Sequence, residues 1–163
     1  MILPIQKIKE MNLVQNMLSE ELQLQPAGVD FTVKSINKWT DGGIIDFDNE
    51  KRKISDLEEL KFEKSLKLEK GAYLVCFNET VSLPNNVMAF VQTRSSLLRM
   101  GATVTAGYID PGYSGPILAV LNVFNENGIE VIKNARVCQW RFDLLSEKAE
   151  TLYDGQYQNQ ENL

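Results

Sequence analysis

Residues 93–116 bring together three kinds of group that a phosphorylated substrate requires. Arg94-Ser95-Ser96 opens a short helix-like run to Met100 that Gly101 stops, with Leu97 and Leu98 expected to face inward. A helix start offers free backbone N–H groups, and a guanidinium with two hydroxyls adds donors, so this turn suits phosphate. A plain helix cap with an exposed Arg is the simpler alternative. Asp110 follows in Ala106-Gly107-Tyr108-Ile109-Asp110-Pro111-Gly112-Tyr113. Pro111 holds Asp110 in extended backbone and so pins the direction of its carboxylate. A fixed carboxylate beside a phosphate pocket can polarise a water or hold a sugar hydroxyl; otherwise it shapes a Pro-Gly turn. Tyr113, flanked by glycines, supplies a ring for a sugar or a base. Together these residues point to a nucleotide site.

Other candidates lie outside that segment. Asp30, after Pro26-Ala27-Gly28-Val29, is a second carboxylate that could bind Mg²⁺ directly or through water, with phosphate oxygens completing the shell. Its alternative is a surface Asp at a strand start. Gln139 is an amide in the apolar run Val137-Cys138-Gln139-Trp140-Arg141-Phe142, and by alternation it shares a face with Val137 and Arg141. A buried amide must bond backbone or reach a ligand. Tyr157, Gln158 and Gln160 could close over a ligand, although a Gly-, Gln- and Asn-rich ending is by default mobile.

The elements that must position these groups are mostly strands. Ile5, Ile8, Leu13, Val14, Met17 and Leu18 recur at roughly helical spacing, which predicts one amphipathic helix ending before Gln25-Pro26. From Val29 the pattern changes to short β-like runs, at Phe31–Val33, Gly43–Ile45, Ala72–Phe77, Val87–Val91, Ile117–Phe124, Ile129–Ile132 and Val137–Phe142. Asp41-Gly42-Gly43, Leu83-Pro84-Asn85-Asn86, Pro111-Gly112 and Asn125-Glu126-Asn127-Gly128 separate them. Many short strands of this kind predict an all-β sandwich or barrel, with a hairpin at Asn127-Gly128. Residues 49–70, dense in Lys and Glu, read as a solvated edge or loop. The 163 residues suit a single domain, 1–163, with a helical N-terminal segment (1–24) and a mobile C-terminal tail (153–163).

Composition narrows the chemistry. The chain has no histidine, which excludes Ser-His-Asp, Cys-His and His-metal sites. Its two cysteines, Cys76 and Cys138, lie in apolar runs and are expected to be buried reduced thiols. Two cysteines without histidine also exclude the zinc site of one large deaminase class. A net charge of −5 argues against nucleic acid as the main partner. No apolar run approaches the roughly 20 residues of a membrane span, and the start resembles no signal peptide. A cytoplasmic setting is the expectation.

In this order, the segments resemble the superfamily of trimeric dUTP pyrophosphatases and metal-independent dCTP deaminases, from about Gln25 to Gln160. Gln25-Pro26-Ala27-Gly28-Val29-Asp30 is similar to its first motif, Arg94-Ser95-Ser96-Leu97 to the second, and Gly107 to Gly115 to the third; Gln139 falls in the fourth. The resemblance implies a jelly-roll-like β-barrel, a homotrimer with sites at subunit interfaces, and hydrolysis of dUTP to dUMP and pyrophosphate. It implies that Asp110 activates the water, Asp30 helps hold Mg²⁺, and Arg94, Ser95 and Ser96 grip phosphates. Gln139 would place phosphate or water, Tyr113 would lie against the deoxyribose, and Thr105, Ala106, Gly107 and Tyr108 would read uracil through their main chain. Tyr157 and Gln160 would close the site. Deaminases of the superfamily carry a catalytic Glu where this chain has Val120, which cannot shuttle protons. The Asp-Pro-Gly-Tyr form of motif three and the tail are nonetheless deaminase-like. A monofunctional dUTPase of the archaeal-type subgroup fits both features. The alternatives are a dCTP deaminase, a bifunctional deaminase–dUTPase, and a non-catalytic nucleotide-binding homologue.

Overall fold

β-Branched and aromatic residues between turn signals build the strands, and the order in which these pair decides which polar groups meet. The computed structural model describes residues 1–159. In chain order the elements are α1 (Ile5–Glu10), β1 (Val14–Gln15), α2 (Glu20–Gln23), β2 (Leu24–Gln25), β3 (Gly28–Trp39), β4 (Leu57–Glu59), β5 (Ser65–Leu68) and β6 (Gly71–Ser82). They continue with β7 (Val87–Thr93), α3 (Ser95–Arg99), β8 (Ala102–Thr105), β9 (Ser114–Val123), β10 (Ile129–Ile132) and β11 (Arg136–Leu144).

A nine-stranded sheet runs β7-β11-β3-β6-β9-β8, with β1 added to β6 and with β2 and β4 added to β3. Its two ends come together. The Val104 N–H donates to Thr93 Oγ1 at 2.9 Å, and that hydroxyl donates to the Val104 carbonyl at 3.0 Å. Ala89 and Ile109 exchange backbone hydrogen bonds farther along the same seam. The result is an all-β, nearly closed barrel in which β7 and β8 protect each other's edges. β5 and β10 form a separate two-stranded sheet.

Inside the barrel, Phe31 packs between Phe77 and Trp140 at ring separations of 5.6 and 5.8 Å. Side chains this deeply buried contribute about 1.5–3 kcal/mol each. Gly28 lets β3 and β11 approach, since a Cβ there would lie 2.6 Å from the Trp140 carbonyl oxygen. Cys76 and Cys138 are free and buried, and burial pushes the Cys138 thiol well above its ordinary range.

Several local expectations are corrected. The N-terminal segment is two short helices separated by β1, because Asn12 and Asn16 take positive φ (49° and 61°) and break the helical run. Asn125 to Gly128 does form a turn, closed by Gly128 N–H to Asn125 O at 2.9 Å. It is not a hairpin, since β10 leaves the main sheet to pair with β5. Gly43–Ile45 makes one bridge, Ile44 to Lys53, rather than a strand. The charged stretch 49–70 contains β4 and β5 and buries Phe62 and Leu68. In α3 only Leu97 turns inward; Leu98 is exposed. No helix among the described residues is long and apolar enough to cross a membrane.

Candidate active site

Strand alternation in β3 sends Val29, Phe31 and Val33 to the core and Asp30 and Thr32 to the opposite face. There the register sets Asp30 beside Gln139 of β11, and Gln139 beside Gln92 of β7, a polar row crossing three strands. Asp30 is 2% exposed. Its Oδ2 lies 3.0 Å from Arg94 Nε and 3.3 Å from Arg136 Nη1. Arg94 Nη1 donates to the Arg136 carbonyl at 2.8 Å, and Arg136 Nη1 donates to the Leu22 carbonyl. Burial raises the Asp30 carboxyl above its ordinary value, and the charges of Arg94 and Arg136 oppose that rise.

Asp30 therefore answers differently from the expected metal holder. A carboxylate enclosed with two guanidinium groups has its charge met, and a cation placed there would be repelled by both. Among the described residues no group of acidic or thiol side chains is arranged to hold a metal ion. The residues do not fit a protein-ligated Mg²⁺. Behind Asp30, Glu79 is fully buried and accepts from Gln23 Nε2 at 2.6 Å, Thr32 N at 2.8 Å and Thr32 Oγ1 at 2.5 Å. Gln23 also donates to the Asp30 carbonyl at 2.9 Å, tying α2 to the same spot.

Ser95 and Ser96 are exposed at the start of α3, next to Arg94. An open groove of about 390 Å³ lies along the barrel seam beside them, lined by Gln92, Thr93, Leu98, Thr105 and Ala106. Barrel seams and mouths are common places for a ligand. Gly107 and Tyr108 continue along β7, both exposed, with the Tyr108 ring edge-on to Phe90 at 4.7 Å. Val120, an apolar side chain, sits opposite Thr105 in the β8–β9 register.

Asp110 is exposed. The turn after it is held firmly: Tyr113 N–H donates to the Asp110 carbonyl at 3.2 Å, and Gly112 has φ +86°. Tyr113 is buried, its hydroxyl donates to the Pro116 carbonyl, and its ring meets Tyr153 edge-on at 5.3 Å. Tyr153 N–H donates to the Pro111 carbonyl at 2.9 Å, and the Gln158 amide brackets the turn by accepting from Ser114 N–H and donating to Gly112 O. Tyr157 is exposed, and Gln160 lies outside the described residues.

The structure thus joins Asp30, Arg94 and Gln139, places Ser95, Ser96, Thr105 and Ala106 near them, and sets Asp110 and Tyr113 apart. Ile109 pairs with Ala89, four residues along β7 from Thr93. At about 3.3 Å per residue these two backbone positions lie roughly 13 Å apart along β7. Sequence reading missed Arg136 and Tyr153. A register shift between Arg136 and Cys138 breaks strand alternation. It brings Arg136, rather than the buried Val137, to the Asp30 side. Tyr153 carried only the weak signal of an aromatic inside a polar tail.

Residues 2–145 match the dCTP deaminase-like family, and the chain belongs to it. A Methanosarcina acetivorans protein named probable deoxyuridine 5'-triphosphate nucleotidohydrolase is 41% identical over 151 residues, 91% of this chain and 88% of that one. The Coprothermobacter proteolyticus dCTP deaminase, dUMP-forming, is 36% identical over 154 residues, 86% of this chain and 80% of that one. Among solved structures, the 2'-deoxycytidine 5'-triphosphate deaminase of Agrobacterium tumefaciens shares the fold with a TM-score of 0.71 at 22% identity. That match covers 88% of this chain and 48% of the deaminase.

Proposed function

We propose that the protein is a dUTP diphosphatase, converting dUTP and water to dUMP and pyrophosphate. This removes dUTP that would otherwise enter DNA and supplies dUMP for dTMP synthesis. The observation that carries the reading is the pairing of an exposed, turn-fixed Asp110 with an apolar Val120 opposite Thr105. The first can accept a proton from water; the second leaves cytosine no relay for deamination. The names of relatives such as the Methanosarcina protein support the same activity.

In the mechanism, the Asp110 carboxylate accepts a proton as the water oxygen bonds to the α-phosphorus in line. The Pα–O bond to the β-phosphate breaks, and pyrophosphate departs with that electron pair. Arg94, Ser95 and Ser96 neutralise and orient the phosphates, and Gln139 donates to phosphate or water. The main chain of Thr105 to Tyr108 reads uracil along the seam groove. The Tyr113 ring, immobilised by Pro116 and Tyr153, stands where a ribose 2′-OH would collide. Tyr157 covers the bound nucleotide. Magnesium bound with the substrate would supply charge neutralisation for the departing pyrophosphate, and Asp30, already paired with Arg94 and Arg136, would not hold it directly.

The segments that carry Asp110 and Arg94 join β7 at backbone positions, Ala89 and Thr93, roughly 13 Å apart on one chain. A homotrimer whose sites lie at subunit boundaries, with Asp110 of one copy facing Arg94 of the next, resolves this separation. The buried free thiols suit a cytoplasmic setting.

The test is incubation with dUTP and, separately, dCTP in the presence of Mg²⁺, with nucleotides resolved by chromatography and ammonia assayed. Formation of dUMP and pyrophosphate from dUTP, with dCTP left untouched, is expected. Ammonia released from dCTP with dUMP as the product would instead establish the bifunctional reading that the Coprothermobacter relative favours, and ammonia with dUTP as the product a dCTP deaminase. Binding without turnover of either nucleotide would make the protein a nucleotide-binding homologue.

A further inference from the structure

We infer that Arg136 is a second phosphate-gripping cation of this site and that Asp30 is a positioning residue, the shared counter-anion that aims both guanidinium groups. The inference rests on the proposed reading of the Arg94 region as the triphosphate half of the site. Three observations carry it. First, Asp30 Oδ2 faces Arg94 Nε at 3.0 Å and Arg136 Nη1 at 3.3 Å, so one buried carboxylate orients two cations. Second, the cluster keeps one uncompensated positive charge in a protein whose net charge is −5. Third, the side chains of Arg94 and Arg136 remain 28% and 30% exposed while that of Asp30 is 3% exposed.

On this chain Arg94 Nε is held in the ion pair with Asp30, and the hydrogen bonds use Arg94 Nη1 and Arg136 Nη1. Among the described residues, Arg94 Nη2 and Arg136 Nε and Nη2 have no partner. Guanidinium groups present paired donors that match phosphate oxygens, and a carboxylate that fixes their planes lowers the ordering cost on binding. The ligand this geometry takes is a polyphosphate chain, with the anion outside and Asp30 behind.

Calorimetric titration of inorganic tripolyphosphate into the full-length protein reads the cluster directly, and dUTP kinetics read it in turnover. Arg136→Gln should weaken tripolyphosphate binding by about tenfold, the loss of a charge-assisted contact. The KM for dUTP should rise in parallel, with kcat within about twofold and inhibition by deoxyuridine unchanged. Arg136→Lys should recover part of the loss. Asp30→Asn should weaken tripolyphosphate binding while leaving the Mg²⁺ concentration for half-maximal turnover in place.

Unchanged tripolyphosphate affinity in Arg136→Gln would overturn the proposal. So would equal losses of deoxyuridine and tripolyphosphate binding, the mark of a merely structural residue. A large rise in Mg²⁺ requirement in Asp30→Asn, with tripolyphosphate binding intact, would return Asp30 to the metal. Should Asp30→Asn fail to fold, the Arg136 variants still decide. A protein that binds tripolyphosphate through Arg136 but turns over no dUTP would refute the catalytic reading and leave this one standing.

Discussion

The two halves of the candidate site are built in opposite ways. The arginine half draws on residues far apart in the chain, Asp30, Arg94, Arg136 and Gln139, that meet because β3, β11 and β7 lie side by side. Its carboxylate is buried and shared by two guanidinium groups. The Asp110 half comes from one continuous turn, exposed to water and held by Pro111, Gly112 and the segment around Tyr153. The contrast suits the tasks proposed for the two halves. Binding a polyanion needs cations held rigidly at low ordering cost, whereas a general base needs a carboxylate that stays ionised and reaches water.

The largest effect should come from Asp110→Asn. If the Asp110 half is the chemical half, kcat for dUTP should fall by about 10²–10⁴-fold, the usual worth of a positioned base. The KM should change little, because the arginine half is intact. Steady-state kinetics decide this, and near-native turnover would remove Asp110 from the base role. Gly112→Ala comes next. Alanine at φ +86° is strained, and its Cβ would lie 2.8 Å from the Leu152 Cβ. A loss of about 1–2 kcal/mol in stability is expected, read by denaturant unfolding, together with a drop in kcat as the carboxylate loses its aim. Tripolyphosphate affinity should hold, and a fall there would show that the halves are coupled rather than separate.

Tyr153→Leu should have a smaller effect. It removes an edge-to-face contact with Tyr113, worth about 0.5–1.5 kcal/mol, while keeping the backbone bond to Pro111. Discrimination between dUTP and UTP should relax several-fold as the Tyr113 ring gains freedom. Unchanged discrimination would mean that the Pro116 hydrogen bond alone fixes the ring.

The difference between the halves also explains what the sequence disclosed. Asp110, Tyr113 and the Arg94-Ser95-Ser96 turn could be named as candidates because each is a local arrangement of turn residues and donors. The longer strands β3, β6, β7, β9 and β11, and β10, were legible from their Gly, Pro and Asn punctuation, whereas β1, β2, β4, β5 and β8 were not. Arg136 was not, because it reaches Asp30 through an irregularity in β11 that no alternation rule anticipates. The pairing of β10 with β5 was hidden for the same reason, a long-range choice overriding a good local turn at Asn127-Gly128. The N-terminal helix was overpredicted because helical spacing says nothing of Asn12 and Asn16 adopting positive φ.

The finest test of the contrast is Glu79, the buried acid behind the arginine half. Burial raises its carboxyl above the ordinary value of 4.5, and the donors on Thr32 and Gln23 only partly oppose this. The folded protein then holds that proton to higher pH than the unfolded chain does. Its contribution to stability is full below about pH 4.5 and is lost as pH rises through the folded value. Unfolding midpoints of the native protein and Glu79→Gln, compared between pH 4.5 and 7, should show the native protein's relative stability declining as pH rises. The opposite slope would mean that the Thr32 and Gln23 donors hold Glu79 as an anion more strongly than burial disfavours it. Asp30 would then share its role with a second buried negative charge, and the arginine half would be closer to neutral than its three ionic side chains suggest.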